Sequence, residues 1–173
     1  MSKIEIKKIS ITESETDVIV NAANSALLQG GGVCGAIFRA AGAAELTRAC
    51  NEIGHCDTGK AVVTPGFRLP AKYIIHAVGP RWRGGHEGEP DRLYEAYTNS
   101  LELARKLDCH SITFPLISAG IFGYPLKPAW RQAIRACDRF IKRYPDYEIE
   151  IIFAVLEDRI LEAGRQTLDA LRV

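Results

Sequence analysis

Net charge is nearly absent from this chain: 22 Lys+Arg face 21 Asp+Glu, leaving +1 over 173 residues. No sequence-wide field draws it onto nucleic acid or an anionic membrane, so any polyanion it binds is gripped locally and RNA is disfavoured as a partner. Long apolar runs are also missing. No window approaches the roughly 18 uncharged apolar residues of a membrane span. The first ten residues, MSKIEIKKIS, hold no apolar stretch of the kind a secretory signal needs. Cysteines number five (Cys34, Cys50, Cys56, Cys109, Cys137), an odd set without a regular framework, which points to a reducing, cytoplasmic setting rather than a disulfide scaffold. No paired CxxC and no HExxH occurs, and His55-Cys56 near Cys50 lacks zinc-site spacing, so neither a metal nor a cofactor is expected. GxxxxGK[ST] and GxGxxG are absent too, which sets aside P-loop enzymes and ordinary dinucleotide oxidoreductases.

What is present has the length and composition of one globular domain over residues 1–173, with 47% hydrophobic and 25% charged residues. Ile4, Ile6 and Ile9 alternate with charges as in a half-exposed strand, and Val18-Ile19-Val20 reads as a buried strand ending at Asn21. Further strands are expected at Ala61–Thr64, Tyr73–Ala77, Ser111–Phe114 and Ile149–Val155. Helical spacing covers Gly35–Ala41, Ala44–Asn51, Asp91–Leu107, Ala129–Tyr144 and Ile160–Leu171. Strand and helix alternating from end to end predict an α/β fold, a three-layer α/β/α sandwich around a mixed, mostly parallel sheet, with an antiparallel or mixed edge at the first strands. Arg81–Pro90, rich in glycine and charge, reads as an exposed loop, with a lid carrying Trp82, Arg81 and Arg83 as the alternative. His76, in an apolar strand, reads as a hydrogen-bonded core histidine.

Ligands of open α/β sheets bind beyond the carboxyl ends of the strands. Two segments there carry chemistry. Asn21-Ala-Ala-Asn24 leads into Gly30-Gly31-Gly32-Val33 and a helix, where bare backbone and unpaired N–H groups form an anion site. Pro115–Pro125 supplies a second nest of amides, with Phe122 and Tyr124 able to cover a sugar or a base. Two such loops facing each other fit a diphosphate without a basic patch.

Five blocks in order, Val18-Ile-Val-Asn-Ala-Ala-Asn24, Gly30-Gly-Gly-Val33 with Gly35-Ala-Ile37, Arg39-Ala-Ala-Gly42, Ile75-His-Ala-Val-Gly-Pro80 and Ile117-Ser-Ala-Gly-Ile-Phe-Gly-Tyr-Pro125, resemble the macro domains, from about Ile4 to about Leu171. The likeness is to the bacterial and mitochondrial type that removes ADP-ribose or O-acetyl groups. It implies an ADP-ribose cleft, with adenine near Ser10, Ile11 and Leu156. The diphosphate would lie near Gly31, Gly32, Val33 and Ser118, Ala119, Gly120, Ile121, Phe122, and the distal ribose near Asn21, Asn24 and Phe122. Mono-ADP-ribosylated proteins are the partners it implies. Catalysis would rest on Asn24 and the position of Cys34, where related hydrolases carry an aspartate.

That departure matters, because an aspartate is anionic at neutral pH whereas a thiol with a pKa of about 8.5 is mostly neutral. A helix N-terminus favours thiolate by about 0.3–2 kcal/mol, but a ligand diphosphate charge about 6 Å away opposes it by roughly 3 kcal/mol at an effective dielectric of about 20. The thiol is therefore expected to stay protonated beneath bound ligand. Two readings stand: a hydrolase in which Asn24, loop positioning and the substrate's own phosphate suffice, and a reader that binds without chemistry. Ser10 in place of the adenine-holding aspartate and Leu156 in place of an aromatic wall predict weaker adenine recognition. Phe38, where related chains often have histidine, is expected to pack in the core.

Overall fold

A computed structural model describes residues 1–171 and 173. Six strands, β1 (Lys3–Lys8), β2 (Val18–Ala23), β3 (Ala61–Pro65), β4 (Tyr73–Val78), β5 (Ser111–Phe114) and β6 (Glu150–Val155), form one sheet in the order β1-β6-β5-β2-β4-β3. Helices α1 (Gly32–Ala41) and α2 (Ala43–Ile53) pack on one face. Helices α3 (Glu89–Lys106), α4 (Leu126–Arg143) and α5 (Asp158–Leu171) pack on the other. The expected sandwich is present, and each expected strand and helix appears within a few residues of its place.

Alternation along β2 shows why both layers are needed. Val18 and Val20 enter the core beneath α3 and α4, while Ile19 enters the core beneath α1 and α2. Such a strand, buried on both faces, reads as an unbroken β-branched run. α3 opens with Glu89, Pro90 and Asp91 and closes with Arg105 and Lys106, the polarity that its dipole favours.

The antiparallel edge is not at the first strands. β1 runs parallel to β6 along its whole length, and the one antiparallel pairing among the described residues is β3 with β4, at the opposite edge. Half-exposure of β1 has another cause: α1 and α2 do not reach it. Its outer face instead carries the ion pairs Lys3–Glu5 (2.6 Å) and Lys3–Glu150 (3.3 Å).

Trp130 is fully buried and donates its indole N–H to Ile160 O at 3.0 Å. Gly164 lies against this ring, so that a methyl there would sit 2.7 Å from two ring atoms and 2.8 Å from Ile6 Cδ1. Alanine for glycine within a helix ordinarily stabilises by about 1 kcal/mol, whereas overpacking a core costs about 1–3 kcal/mol. The packing loss is the larger. Gly164→Ala is therefore expected to lower the unfolding free energy in urea, and a rise would show that the ring has room to yield.

Candidate functional site

Strand β2 feeds α1 on one face of the sheet, and its neighbour β5 feeds α4 on the other. The loops leaving these adjacent parallel strands thus diverge and open a crevice between them, the usual ligand position in such sheets.

The first loop is built on Asn24. Its Nδ2 donates to Leu28 O at 2.8 Å, and its Oδ1 accepts from Leu28 N–H at 2.9 Å. That closes a ring around Leu27, which is buried with a left-handed φ of 57°. The chain then folds back so tightly that a Cβ on Gly35 would lie 2.6 Å from Gly30 O; glycine is the residue that fits. The first backbone bond of α1 is Gly35 N–H to Gly31 O, and the N–H groups of Gly32, Val33 and Cys34 have no partner among the described residues. Gly31 and Gly32 face open space.

Cys34 is 7% exposed and donates its thiol proton to Leu28 O at 3.7 Å, the same carbonyl that Asn24 holds. Asn24 and Cys34 therefore meet at one carbonyl, and the thiol stands there as a donor. Cys50 lies deeper, where burial first and the neighbouring Cys34 second push its thiol up to about 11.

The second loop turns at Ser118, whose φ is 68°, with Tyr124 N–H bonded to Ser118 O at 2.9 Å and Gly123 N–H to Gly120 O at 3.0 Å. The N–H groups of Gly120, Ile121 and Phe122 have no partner among the described residues. Ser118 Oγ is buried and equally unpartnered, pressed so closely to Gly79 that a Cβ there would lie 2.2 Å away. Ala119 is half-buried, and Ile121 stands in solvent. Across the crevice six amides and one hydroxyl are thus unsatisfied, a donor set suited to an anion.

At one end, Ser10 Oγ and Thr12 Oγ1 share a hydrogen bond of 2.8 Å, Ile11 buries its side chain in the α1 core, and Leu156 is exposed. Asn21 is buried as well, its Nδ2 donating to His76 Nδ1 at 3.1 Å. That bond fixes the proton on His76 Nε2, which donates to Thr64 Oγ1 at 3.0 Å, with Thr64 in turn bonded to Pro65 O. Burial lowers the His76 pKa to about 4, so the ring is neutral. It is the hydrogen-bonded core histidine expected. Phe38 likewise packs in the core.

At the other end, a cavity of about 690 Å³ extends from Asn24 and Phe122 past Ser25, Thr58 and Gly79 to Arg81, Arg83, Glu87, Glu89, Arg92 and Asp57. Sequence reasoning did not find this cavity. Nor did it find Glu89, which is buried and accepts from the N–H groups of Arg83 (2.8 Å), Gly85 (2.9 Å) and Glu87 (2.7 Å). Burial opposes its ionisation, but these donors and its own N–H outweigh that and hold the carboxyl at about 2. Trp82 N–H reaches Phe122 O at 2.8 Å, its ring meets Tyr124 edge-on at 4.7 Å, and the Arg81 guanidinium lies 4.7 Å over Phe122. Residues 81–88 are therefore a fastened wall tied to the second loop. Among the described residues no three His, Cys, Asp or Glu side chains gather as metal ligands, and no helix is long and apolar enough to cross a membrane.

Known proteins share this fold. The family profile described as Macro domain matches residues 20–133. The chain is 50% identical over 147 residues to the O-acetyl-ADP-ribose deacetylase of Salmonella typhimurium, covering 83% of this chain and 82% of that one. The Oceanobacillus iheyensis macrodomain with ADP superposes with a TM-score of 0.94 at 36% identity, over 99% of this chain and 92% of that one. A Trypanosoma brucei macrodomain in complex with ADP-ribose superposes at 0.88 and 36% identity, over 95% and 68%.

Proposed function

This chain belongs to the macro domain family, and from that premise we propose that its crevice binds ADP-ribose and that the protein hydrolyses the ligand's ester-type bonds, freeing mono-ADP-ribose from protein side chains or acetate from O-acetyl-ADP-ribose. The observation that carries the binding half is the set of unpaired amides at Gly32, Val33, Cys34, Gly120, Ile121 and Phe122 with the orphaned Ser118 hydroxyl between them. A diphosphate satisfies all of these at once without a lysine or a metal. Adenine then lies toward Ser10, Ile11 and Leu156, and the distal ribose toward Asn24 and Phe122. Leu156 is aliphatic and Ser10 uncharged, so adenine is held by neutral hydrogen bonds worth about 1 kcal/mol rather than by charge-assisted ones of roughly 1.5–3 kcal/mol.

Catalysis falls to Asn24. Its two bonds to Leu28 use one of its two N–H groups and one lone pair of Oδ1, leaving one of each for a ribose hydroxyl or an attacking water. Cys34, with its proton turned toward Leu28 O, supplies no base. The proton of the attacking water passes instead to the substrate's own phosphate oxygens as the scissile C–O bond breaks; a side-chain carboxylate leaves as the anion, while in the acetyl ester the ribose oxygen takes that proton back and acetate departs, the loops contributing by positioning. The competing reading, a binder without chemistry, draws on the same thiol.

Turnover of glutamate-linked mono-ADP-ribosylated protein and of O-acetyl-ADP-ribose, beside calorimetric titration with ADP-ribose, separates the two readings. Wild type is expected to bind and to turn over at least one substrate, with Cys34→Ala within about fivefold of it, since a neutral donor to an already bonded carbonyl contributes about 1 kcal/mol or less. Binding with both substrates left intact would leave a reader; no binding would remove both readings.

A further inference from the structure

Subsites along this crevice follow the strand order of the sheet. On the reading above, on which this inference rests, adenine lies over β6 at Leu156, the diphosphate over β5 and β2, and the distal ribose at Asn24 and Phe122. The next strand in order is β4. The loop that leaves it lines the cavity of about 690 Å³ that begins at Asn24 and Phe122. A group attached to the distal ribose must therefore enter this cavity.

Size and charge say what that group is. The volume lies within the range of about 300–1,000 Å³ that accommodates whole small ligands. An acetyl group, two carbons and a carbonyl oxygen, leaves nearly all of it to water, whereas a short stretch of polypeptide takes up most of it. Its lining carries three arginines, Arg81, Arg83 and Arg92, and three carboxylates, Asp57, Glu87 and Glu89; Arg92 is paired with Glu95 (2.5 Å), and Glu89 is buried with its oxygens turned to three amides. On the 81–88 wall itself Arg81 and Arg83 are exposed, with no carboxylate partner among the described residues, against one exposed carboxylate, Glu87. Arg81, stacked on Phe122, is the cation at the ribose end.

We propose that this cavity is an acceptor site for a short polypeptide segment bearing the ADP-ribosyl group, and that Arg81 and Arg83 select segments with acidic side chains beside the attachment point. The wall that carries them is rigid before the substrate arrives, because Glu89 holds its backbone, so little ordering cost is left for binding.

The test uses the full chain and three probes: ADP-ribose, and two peptides in which ADP-ribose is joined through the hydrolysis-resistant amide of a glutamine flanked either by two glutamates or by two lysines. Two exposed, partly screened ion pairs predict that the acid-flanked peptide binds about fivefold tighter than ADP-ribose and the lysine-flanked peptide no tighter. The double charge reversal Arg81→Glu/Arg83→Glu is expected to invert that order, and Arg81→Gln/Arg83→Gln to abolish it. Equal affinities for all three probes, or an order unchanged by the reversal, would overturn the acceptor site while leaving ADP-ribose binding in place. Failure of ADP-ribose itself to bind would overturn the underlying reading, and this one with it.

Discussion

Asn24→Ala is expected to cut kcat/KM by about 100-fold or more. The side chain has two tasks that alanine ends together. It aims a carboxamide at the distal ribose, and a displacement of about 1 Å at a reacting centre costs on the order of 100-fold. It also holds Leu28 from both sides, through bonds worth about 0.5–1.5 kcal/mol each. With both gone, the peptide units from Leu28 to Gly31 regain freedom, and each residue ordered again on binding costs about 1–2 kcal/mol. Asn24→Asp separates the tasks, because it still accepts from Leu28 N–H but sets a carboxylate against Leu28 O. Turnover assays beside calorimetry decide the matter. A kcat/KM within tenfold of wild type in Asn24→Ala would remove Asn24 from the chemistry.

Stability is expected to fall by roughly 3 kcal/mol as pH drops from 6.5 to 4, through His76 alone. In the unfolded chain this ring takes a proton near its ordinary 6.5; folded, burial withholds it until about 4. Between those values the unfolded state binds more protons, so each step downward in pH favours unfolding. Against a total of about 5–15 kcal/mol, this is a large share. Other shifted groups act elsewhere on the scale. His110, raised first by the Glu148 carbonyl, stabilises below its unfolded pKa and loses that contribution as pH rises through its higher folded value. Glu5, Glu148 and Glu89, all lowered, lose theirs as pH falls below the usual carboxylate range. Urea titrations between pH 7 and 4 are expected to show the slope in wild type and its flattening in His76→Gln. A variant that keeps the full slope would place the titration on another group.

The strands and helices were legible because each carries its own period, and the two glycine-bearing loops because bare backbone at a strand's end has few other uses. The placement of the antiparallel edge failed for a reason internal to the fold. A half-exposed strand records only that one face lacks a cover, and β1 lacks it because two helices stop short, not because of its direction. Asn21 and Asn24, three residues apart, look alike in sequence, yet one is buried against a histidine and the other closes the loop on Leu28. What separates them is the two-residue alternation of β2, carried as far as Ala23. Glu89 gave no signal at all. An acidic residue before a proline reads as the opening of a helix, which it also is, and nothing local reveals that its oxygens collect amides from two, four and six residues earlier.

That same carboxylate makes the wall beside the acceptor cavity interchangeable. Glu89 takes hold of main-chain N–H groups, which every residue but proline possesses, and the sharp bends fall to Gly84, Gly85 and Gly88, all at positive φ. The shape of the segment is thereby independent of the side chains at Arg83, His86 and Glu87. Those three positions can be rewritten, in the laboratory or by descent, without redrawing the curve on which they are mounted. The crevice proper has no such latitude, since its turns at Leu27, Gly32, Ser118 and Gly123 lie in the same two loops as the unpartnered amides. Adaptation to new acceptors therefore belongs to this short arc, and the nucleotide end stays as it is.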